Sequence, residues 1–283
     1  MIREAELRRR AANQEIDPMI LNLDYALGWF LVALYTANHL KDRLRFKGGT
    51  CLRKAYFSQH RFSEDLDFTA TTTMNTKSLK PRVKQAAQWC EERGGPDFSV
   101  RTPRFEEISD EYGVETLQAR IYFRGPLRFA GSPQAIRLDI TGKERLILPV
   151  EKRSLIHPYS DAHALGKAIL PCYSLAEMLA EKIRAVGGQR RFAISRDIYD
   201  IHILMKKGVN ITAILPLLKE KFAAKGLDVG QLSLTAICAR RAEFEQDWKR
   251  NLLYLLPHDQ EVPFLDAWKT TLALLERAEV GTG

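Results

Sequence analysis

The chain has 283 residues, of which 45% are hydrophobic and 28% are charged, as is ordinary for a globular protein with a substantial core. Its four cysteines are far apart and form no C-x-x-C pair, which argues against a disulfide scaffold and against a zinc site. The net charge of +8 is compatible with a polyanionic partner such as RNA, but a solvated basic surface would have the same composition.

The first 45 residues are predicted to be helical. They contain no export signal, because MIREAELRRR leads into polar residues. Asp17-Pro18 has the pattern of an N-cap followed by proline at the first helical position, and apolar residues then recur at helical spacing. The most apolar window, Tyr25 to Ala37, is too short to span a bilayer. We therefore expect a core helix, a cytoplasmic protein and no membrane partner.

The middle of the chain is predicted to contain most of the strands. A helix from Leu79 to Arg93 follows a polar loop, Thr71 to Ser78, and ends at the breaker Gly94-Gly95-Pro96. The predicted strands are Leu44 to Lys47, Leu66 to Thr69, Phe98 to Phe105, Thr116 to Phe123, Ala135 to Thr141 and Leu146 to Val150, with a short helix from Thr50 to Phe57.

The chain becomes helical from Ser174 onward. The predicted helices are Ser174 to Val186, Ser195 to Lys206, Ile211 to Lys225, Arg240 to Leu255 and Pro263 to Ala278. The simplest architecture is a mixed sheet domain with N-terminal helices over residues 1–170, followed by a helical C-terminal domain over residues 171–283.

A glycine pair and an Asp-x-Asp pair suggest a nucleotide site. Gly48 and Gly49 allow backbone N–H groups to approach a phosphate closely, and Thr50 adds a hydroxyl donor. Asp65 and Asp67 alternate with apolar residues and, at a strand period of two, project from the same face. Such carboxylates can hold Mg²⁺ against nucleotide phosphates. The alternative is a turn in which the aspartates bond to local backbone groups.

Three further residues are candidates for this site. Ser63 and Arg61 precede the pair and either orient a carboxylate, contact phosphate or bond only to their own loop. Asp139 lies between apolar neighbours in a predicted strand. Beside the strand of the Asp65–Asp67 pair, it would complete a metal triad or act as a base toward an attacking hydroxyl. An edge-strand aspartate without a function is the alternative.

Two predicted helices carry a charged residue on their apolar faces. At about 100° per residue, Lys182 falls inside an apolar arc, where it must snorkel or meet a buried anion such as a nucleotide phosphate. Asp197 falls inside the apolar arc of the next helix, although the helix dipole also favours a carboxylate there. Two adjacent helices would present both groups to one cleft, where Asp197 could hold the amine of Lys182. Asp200 lies at the margin of its arc, where a surface salt bridge is the simpler interpretation.

Together these motifs resemble the AbiEii/AbiGii toxin family, which includes the MenT toxins. The resemblance rests on KGGTCLRKAYF followed by RFSEDLDF, then LAEKIRA and SRDIYDI, and extends from about residue 45 to residue 205. It implies an α+β fold with a DNA polymerase β-type nucleotidyltransferase sheet domain. It also implies the toxin half of a type IV toxin–antitoxin or abortive-infection pair.

The resemblance assigns Gly48, Gly49 and Thr50 to the nucleotide phosphates, Asp65 and Asp67 to Mg²⁺ or Mn²⁺, Lys182 to the nucleotide, Asp197 to the remaining catalytic position and, by strand context, Asp139 to the third carboxylate. The implied reaction transfers nucleotides from an NTP to the 3′ end of tRNA, which blocks aminoacylation and translation. An AbiEi-like antitoxin is the implied partner. The alternatives are transfer of a nucleotide to a protein hydroxyl (AMPylation) and a non-catalytic RNA- or partner-binding module.

Overall fold

A mixed β-sheet organises the part of the chain that the computed structural model describes, namely residues 1–37, 40–109, 115–128, 131–142, 144–189, 192–228 and 233–282. Its strands are β1 (Leu44–Lys47), β2 (Asp65–Ala70), β3 (Arg104–Ser109), β4 (Glu115–Phe123), β5 (Gln134–Thr141), β6 (Glu151–Ser154) and β7 (Ile169–Cys172). They lie in the order β3-β4-β5-β2-β1-β7-β6. The β2–β5 and β1–β7 pairs are parallel, and the other pairs are antiparallel.

Helices flank the sheet and form the C-terminal part of the chain. They are α1 (Glu4–Gln14), α2 (Pro18–Ala37), α3 (Gly48–Cys51), α4 (Thr76–Glu92), α5 (Leu175–Arg184), α6 (Ser195–Lys206), α7 (Leu215–Ala223), α8 (Leu234–Ala239), α9 (Arg241–Asp247) and α10 (Phe264–Thr282). The predicted mixed α+β fold is confirmed.

The chain divides into two compact units. The first unit comprises Met1–Glu144, Val150–Cys172 and Leu255–Gln260, and it contains the sheet and helices α1 to α4. The second unit comprises Arg145–Pro149, Tyr173–Tyr254 and Glu261–Gly283, and it contains helices α5 to α10. The predicted carboxylate motif thus lies in the first unit, whereas Lys182 and Asp197 lie in the second.

One face of the sheet is apolar and is covered by helix α2. Phe46 and Phe68, on the neighbouring strands β1 and β2, are fully buried there, with ring centroids 5.3 Å apart. Tyr35 of α2 meets the ring of Phe68 edge-on at 5.9 Å. Because side chains alternate along a strand, Asp65 and Asp67 project from the opposite face. We call that opposite face the polar face.

Helix α2 is the core helix of the first unit. The carboxylate of Asp17 accepts a hydrogen bond from the backbone N–H of Met19 at 2.8 Å, so the predicted N-cap is confirmed. The helix has 20 residues and, among the described residues, is the one helix long and apolar enough to cross a membrane. The prediction that the apolar segment, taken as Tyr25 to Ala37, is too short to span a bilayer is therefore wrong as to length. However, 78% of its apolar window is buried inside the protein, as in a core helix.

The strand predicted over Phe98 to Phe105 is wrong for most of its length, because β3 begins only at Arg104. A local turn explains the difference. Oδ1 of Asp97 accepts hydrogen bonds from the backbone N–H and the hydroxyl of Ser99 at 2.8 and 2.7 Å. An aspartate that bonds to the chain two residues ahead bends the backbone away from an extended course.

The strand predicted over Leu146 to Val150 is also wrong. Glu177 of α5 accepts hydrogen bonds from the backbone N–H groups of Ile147 and Leu148 at 3.0 and 2.8 Å, so a helix side chain takes donors that a strand ladder would need. Strands β6 and β7 were not predicted. The proline at position 171 hides β7, since proline in a strand pattern usually argues against a strand.

Several helix boundaries differ from the predicted ones. Helix α3 begins at Gly48 and not at Thr50, so the glycine pair forms its first turn. Helix α4 begins at Thr76, inside the predicted loop, because Asn75 and Ser78 form a reciprocal capping box. In the C-terminal region, the segment predicted as one helix from Ile211 splits into a 3₁₀ turn and α7, and α8 was not predicted.

Candidate active site

Three aspartates lie on the polar face of two paired parallel strands. In the register of β2 and β5, Asp67 is opposite Asp139 and Asp65 is opposite Arg137. Side chains in such positions share a face, so all four project together. The predicted placement of Asp65 and Asp67 on one strand face is confirmed, and Asp139 does lie on a neighbouring strand. Their functional roles remain predictions.

Arg137 forms ion pairs with two of these carboxylates and so offsets part of their negative charge. Its Nη2 lies 2.6 Å from Oδ2 of Asp65, and its Nε lies 3.5 Å from Oδ2 of Asp139. Although burial opposes a charged guanidinium, the bond to Asp65 raises the pKa of Arg137 further. Burial, with the negative charges of Asp67 and Asp65, raises the pKa of Asp139 to about 7, against the opposing effect of Arg137. A carboxyl group with that pKa can exchange a proton near neutral pH.

The oxygen atoms of the polar face suit Mg²⁺, which usually takes one or two protein carboxylates together with substrate phosphates. Oδ1 of Asp139 is buried, and none of the described residues donates a hydrogen bond to it, so a cation would satisfy an otherwise orphaned atom. In the described ranges, no three His, Cys, Asp or Glu side chains form a group that could hold a metal ion. The residues therefore fit a site that is shared with phosphate oxygens better than a closed cage of three carboxylates.

The glycine pair lies directly beside the Asp-x-Asp strand. Lys47, the last residue of β1, is opposite Asp67, so helix α3 begins next to that carboxylate. Gly48 has φ +80°, and a Cβ atom there would collide with the carboxylate of Asp67. Only glycine combines this backbone conformation with such a close approach. The antiparallel β1–β2 pairing thus joins the two motifs across the fifteen residues that separate Gly49 from Asp65.

The three remaining predicted residues of this motif, Thr50, Arg61 and Ser63, are buried. The hydroxyl of Thr50 donates a hydrogen bond to the backbone carbonyl of Asp65, which fastens α3 to β2. The guanidinium of Arg61 lies against Gly49, and its Nη1 donates to the backbone carbonyl of Phe62 at 3.1 Å. Ser63 is 8% exposed. The structure thus places Arg61 beside the glycine pair.

A buried ion cluster, which was not predicted from the sequence, joins α2 to the helical turn that follows α3. Asp24 of α2 binds Nε of Arg53 at 2.9 Å and Nζ of Lys54 at 2.7 Å, and it accepts a hydrogen bond from the hydroxyl of Tyr159 at 2.7 Å. Arg53 and Lys54 belong to the π-helical turn that continues α3. We call these four residues the Asp24 cluster. The signal available in the sequence was a lone aspartate within the apolar pattern of α2.

The second unit contains a separate buried cluster built on Lys182. Its Nζ lies 2.6 Å from Oδ1 of Asp197 and 2.7 Å from Oδ2 of Asp200. The side chains are 14%, 3% and 0% exposed, respectively. Helices α5 and α6 therefore present the predicted lysine and aspartate to each other. The interpretation of Asp200 as a surface salt bridge is wrong, since its carboxylate is fully buried against the lysine.

The comparisons with known proteins agree with this fold. A family model described as the nucleotidyl transferase AbiEii toxin of type IV toxin–antitoxin systems matches residues 29–273. No curated protein sequence matches the chain. The structure is similar to that of JHP933 from Helicobacter pylori, with a TM-score of 0.58, 18% identity and 94% of each chain covered. It is also similar to MenT4, a nucleotidyltransferase toxin from Mycobacterium tuberculosis, with a TM-score of 0.55, 20% identity and coverage of 100% of this chain and 99% of that one.

Proposed function

Since the chain belongs to the AbiEii family of nucleotidyl transferase toxins of type IV toxin–antitoxin systems, we propose that it transfers nucleotides from an NTP to the 3′ end of tRNA and so blocks aminoacylation and translation. The family itself establishes a nucleotidyltransferase toxin with an antitoxin partner. The choice of tRNA, the need for Mg²⁺, an AbiEi-like antitoxin and a cytoplasmic location belong to the proposal.

The observation that carries the proposal is the junction of β1, α3 and β2 beside β5. There, Gly48 at the first position of α3 lies against the carboxylate of Asp67. Asp67 is paired across the strands with Asp139, which has a buried oxygen that accepts no hydrogen bond from any described residue. Phosphate at the glycine pair and a cation at the carboxylates would then be neighbours. The net charge of +8 suits an RNA acceptor.

In the proposed reaction, the 3′ oxygen of the acceptor ribose forms a bond to the α-phosphorus, and the bond from that phosphorus to the bridging oxygen breaks to release pyrophosphate. Asp139 takes the proton of the attacking hydroxyl. Gly48 and Gly49 orient the phosphates through their backbone, and Arg61 lies beside them. Mg²⁺ held by phosphate oxygens together with carboxylates of Asp65, Asp67 and Asp139 would supply charge neutralisation at the phosphates.

Lys182 and Asp197 are proposed as the catalytic residues of the second unit, on their chemistry and the resemblance. Two carboxylates hold the ammonium of Lys182 in a fixed position, as a lysine that contacts a nucleotide would require. Lys182→Arg keeps the charge but changes the geometry, so we expect transfer to fall at least tenfold while the melting temperature changes little. Unchanged transfer by this variant would show that the cluster only holds α5 and α6 together.

The test uses the purified full chain with α-labelled NTPs, total RNA and a cell lysate. We expect label in small RNA from the wild type, its loss with EDTA, and its loss in Asp67→Asn. The matched control is Asp259→Asn, which removes one carboxylate from an exposed position of the same unit and should leave transfer unchanged. Label in protein alone would favour AMPylation, and no label in either fraction would favour a binding module.

A further inference from the structure

Three arginines form a straight row across the polar face. Arg104 on β3 is opposite Arg120 on β4, which is opposite Arg137 on β5, which is opposite Asp65 on β2. Directly paired residues share a face, so the three guanidinium groups lie on the same face as the aspartates. We call these residues the arginine row. With neighbouring strands about 4.8 Å apart, it reaches about 14 Å from Asp65 to the outer strand.

The outer part of the arginine row carries uncompensated charge. All three side chains are exposed, and Arg137 is paired with Asp65. Within the residues that the structure describes, no ion pair engages Arg104 or Arg120. Like charges on directly opposed strand positions destabilise a sheet, so a row of this kind is unfavourable for folding alone. An anionic ligand lying along the row would offset the repulsion.

A fourth arginine lies next to the row. Tyr122 follows Arg120 by two residues on β4 and therefore projects from the same face. The guanidinium of Arg101 lies over the ring of Tyr122, 4.6 Å from its centroid. This cation–π contact holds a further positive charge beside the row. The polar face is thus acidic around Asp65, Asp67 and Asp139 and basic along the arginine row, and Glu106 is the next residue of β3 on this face.

We propose that the arginine row binds the phosphate backbone of the acceptor RNA strand just before its reacting 3′ end. This inference rests on the proposed function, since it names how that RNA reaches the carboxylates. Guanidinium groups bind phosphate oxygens in a bidentate manner, and a row of them matches a chain of phosphates. The triphosphate of the NTP is a less suitable ligand, because Arg104 lies about 14 Å from Asp65.

The test compares the double variant Arg104→Gln/Arg120→Gln with Arg9→Gln/Lys167→Gln in the full chain. Both remove two exposed positive charges, but the second pair lies on α1 and on the segment before β7. Arg137 is left intact because it contacts Asp65. Binding of total tRNA is measured without NTP over a range of KCl concentrations, and transfer is measured at varied RNA and varied NTP.

We expect the double variant to raise the Kd and the KM for RNA by about tenfold or more, and to reduce the slope of log affinity against log salt by about 1.4. The KM for NTP and the kcat at saturating RNA should stay within about twofold of the wild type, and the control pair should change little. The inference is overturned if RNA binding and its salt slope do not change, if the wild type does not bind RNA, or if the KM for NTP rises instead.

The outcome for the arginine row is separable from the outcome for the proposed function. If the wild type labels only protein, the tRNA reaction and the role of the row on an acceptor strand are both contradicted. If the wild type labels RNA and the double variant binds and labels it equally well, the row alone is contradicted.

Discussion

Asp24 is a single buried carboxylate that pairs with two cations, Arg53 and Lys54, in the helical turn that follows α3. We expect Asp24→Asn to lower the free energy of unfolding by about 3–5 kcal/mol, because it leaves Lys54 and Arg53 buried with a neutral partner. Chemical denaturation measures the change. The exposed Asp259→Asn should lie within about 0.5 kcal/mol of the wild type.

The same aspartate predicts how stability changes with pH. Burial alone would raise its pKa, but Lys54 and Arg53 outweigh burial and hold the pKa well below the ordinary value of 3.8. A lowered pKa means that the stabilisation is present above the unfolded pKa and is lost as the pH falls through the folded pKa. The free energy of unfolding should therefore decline below about pH 4 in the wild type and less steeply in Asp24→Asn. Equal slopes in the two proteins would contradict the role of this residue.

At the scale of elements, the junction between β1 and α3 determines the geometry of the site. Gly48→Ala introduces a Cβ at φ +80° against the carboxylate of Asp67, so we expect transfer to fall by about 100-fold through displacement of that carboxylate. Gly208→Ala is the matched control, because Gly208 has φ +79° with open space around it. It tests backbone strain without the collision. Wild-type activity in Gly48→Ala would show that this close approach is not needed.

Elements whose own residue pattern specifies them were predictable from the sequence. Strand β1 and helix α6 have the predicted bounds, and the period of two correctly placed Asp65 and Asp67 on one face. Elements that depend on remote partners were not. The segment Leu146 to Val150 fails as a strand because Glu177, about thirty residues later, takes its backbone donors. The full burial of Asp200 likewise depends on how α6 packs and not on its own periodicity.

The composition of the site was only partly predictable for the same reason. Arg137 lies two residues before Asp139, but its contact with Asp65 follows from the pairing of β2 with β5, which are far apart in the chain. The arginine row needs three strands in register before it becomes visible. Residue types and spacing identify the carboxylates, whereas the sheet order identifies the cations around them.

At the scale of the whole molecule, the family match includes both units. It begins within α2 at residue 29 and ends within α10 at residue 273. The similar structures share this fold at 18% and 20% identity, so the architecture is retained while most residues differ. The family match therefore includes both the sheet unit and the helical unit. For this reason, variants are best tested in the full chain.

The most direct test of the central claim is sequencing of RNA 3′ ends after brief expression of the wild type and of Asp67→Asn. The proposed function predicts extra nucleotides on the 3′ ends of tRNA in cells with the wild type, together with growth arrest, and neither effect with the variant. Growth arrest with unmodified tRNA 3′ ends, or equal arrest by Asp67→Asn, would contradict it.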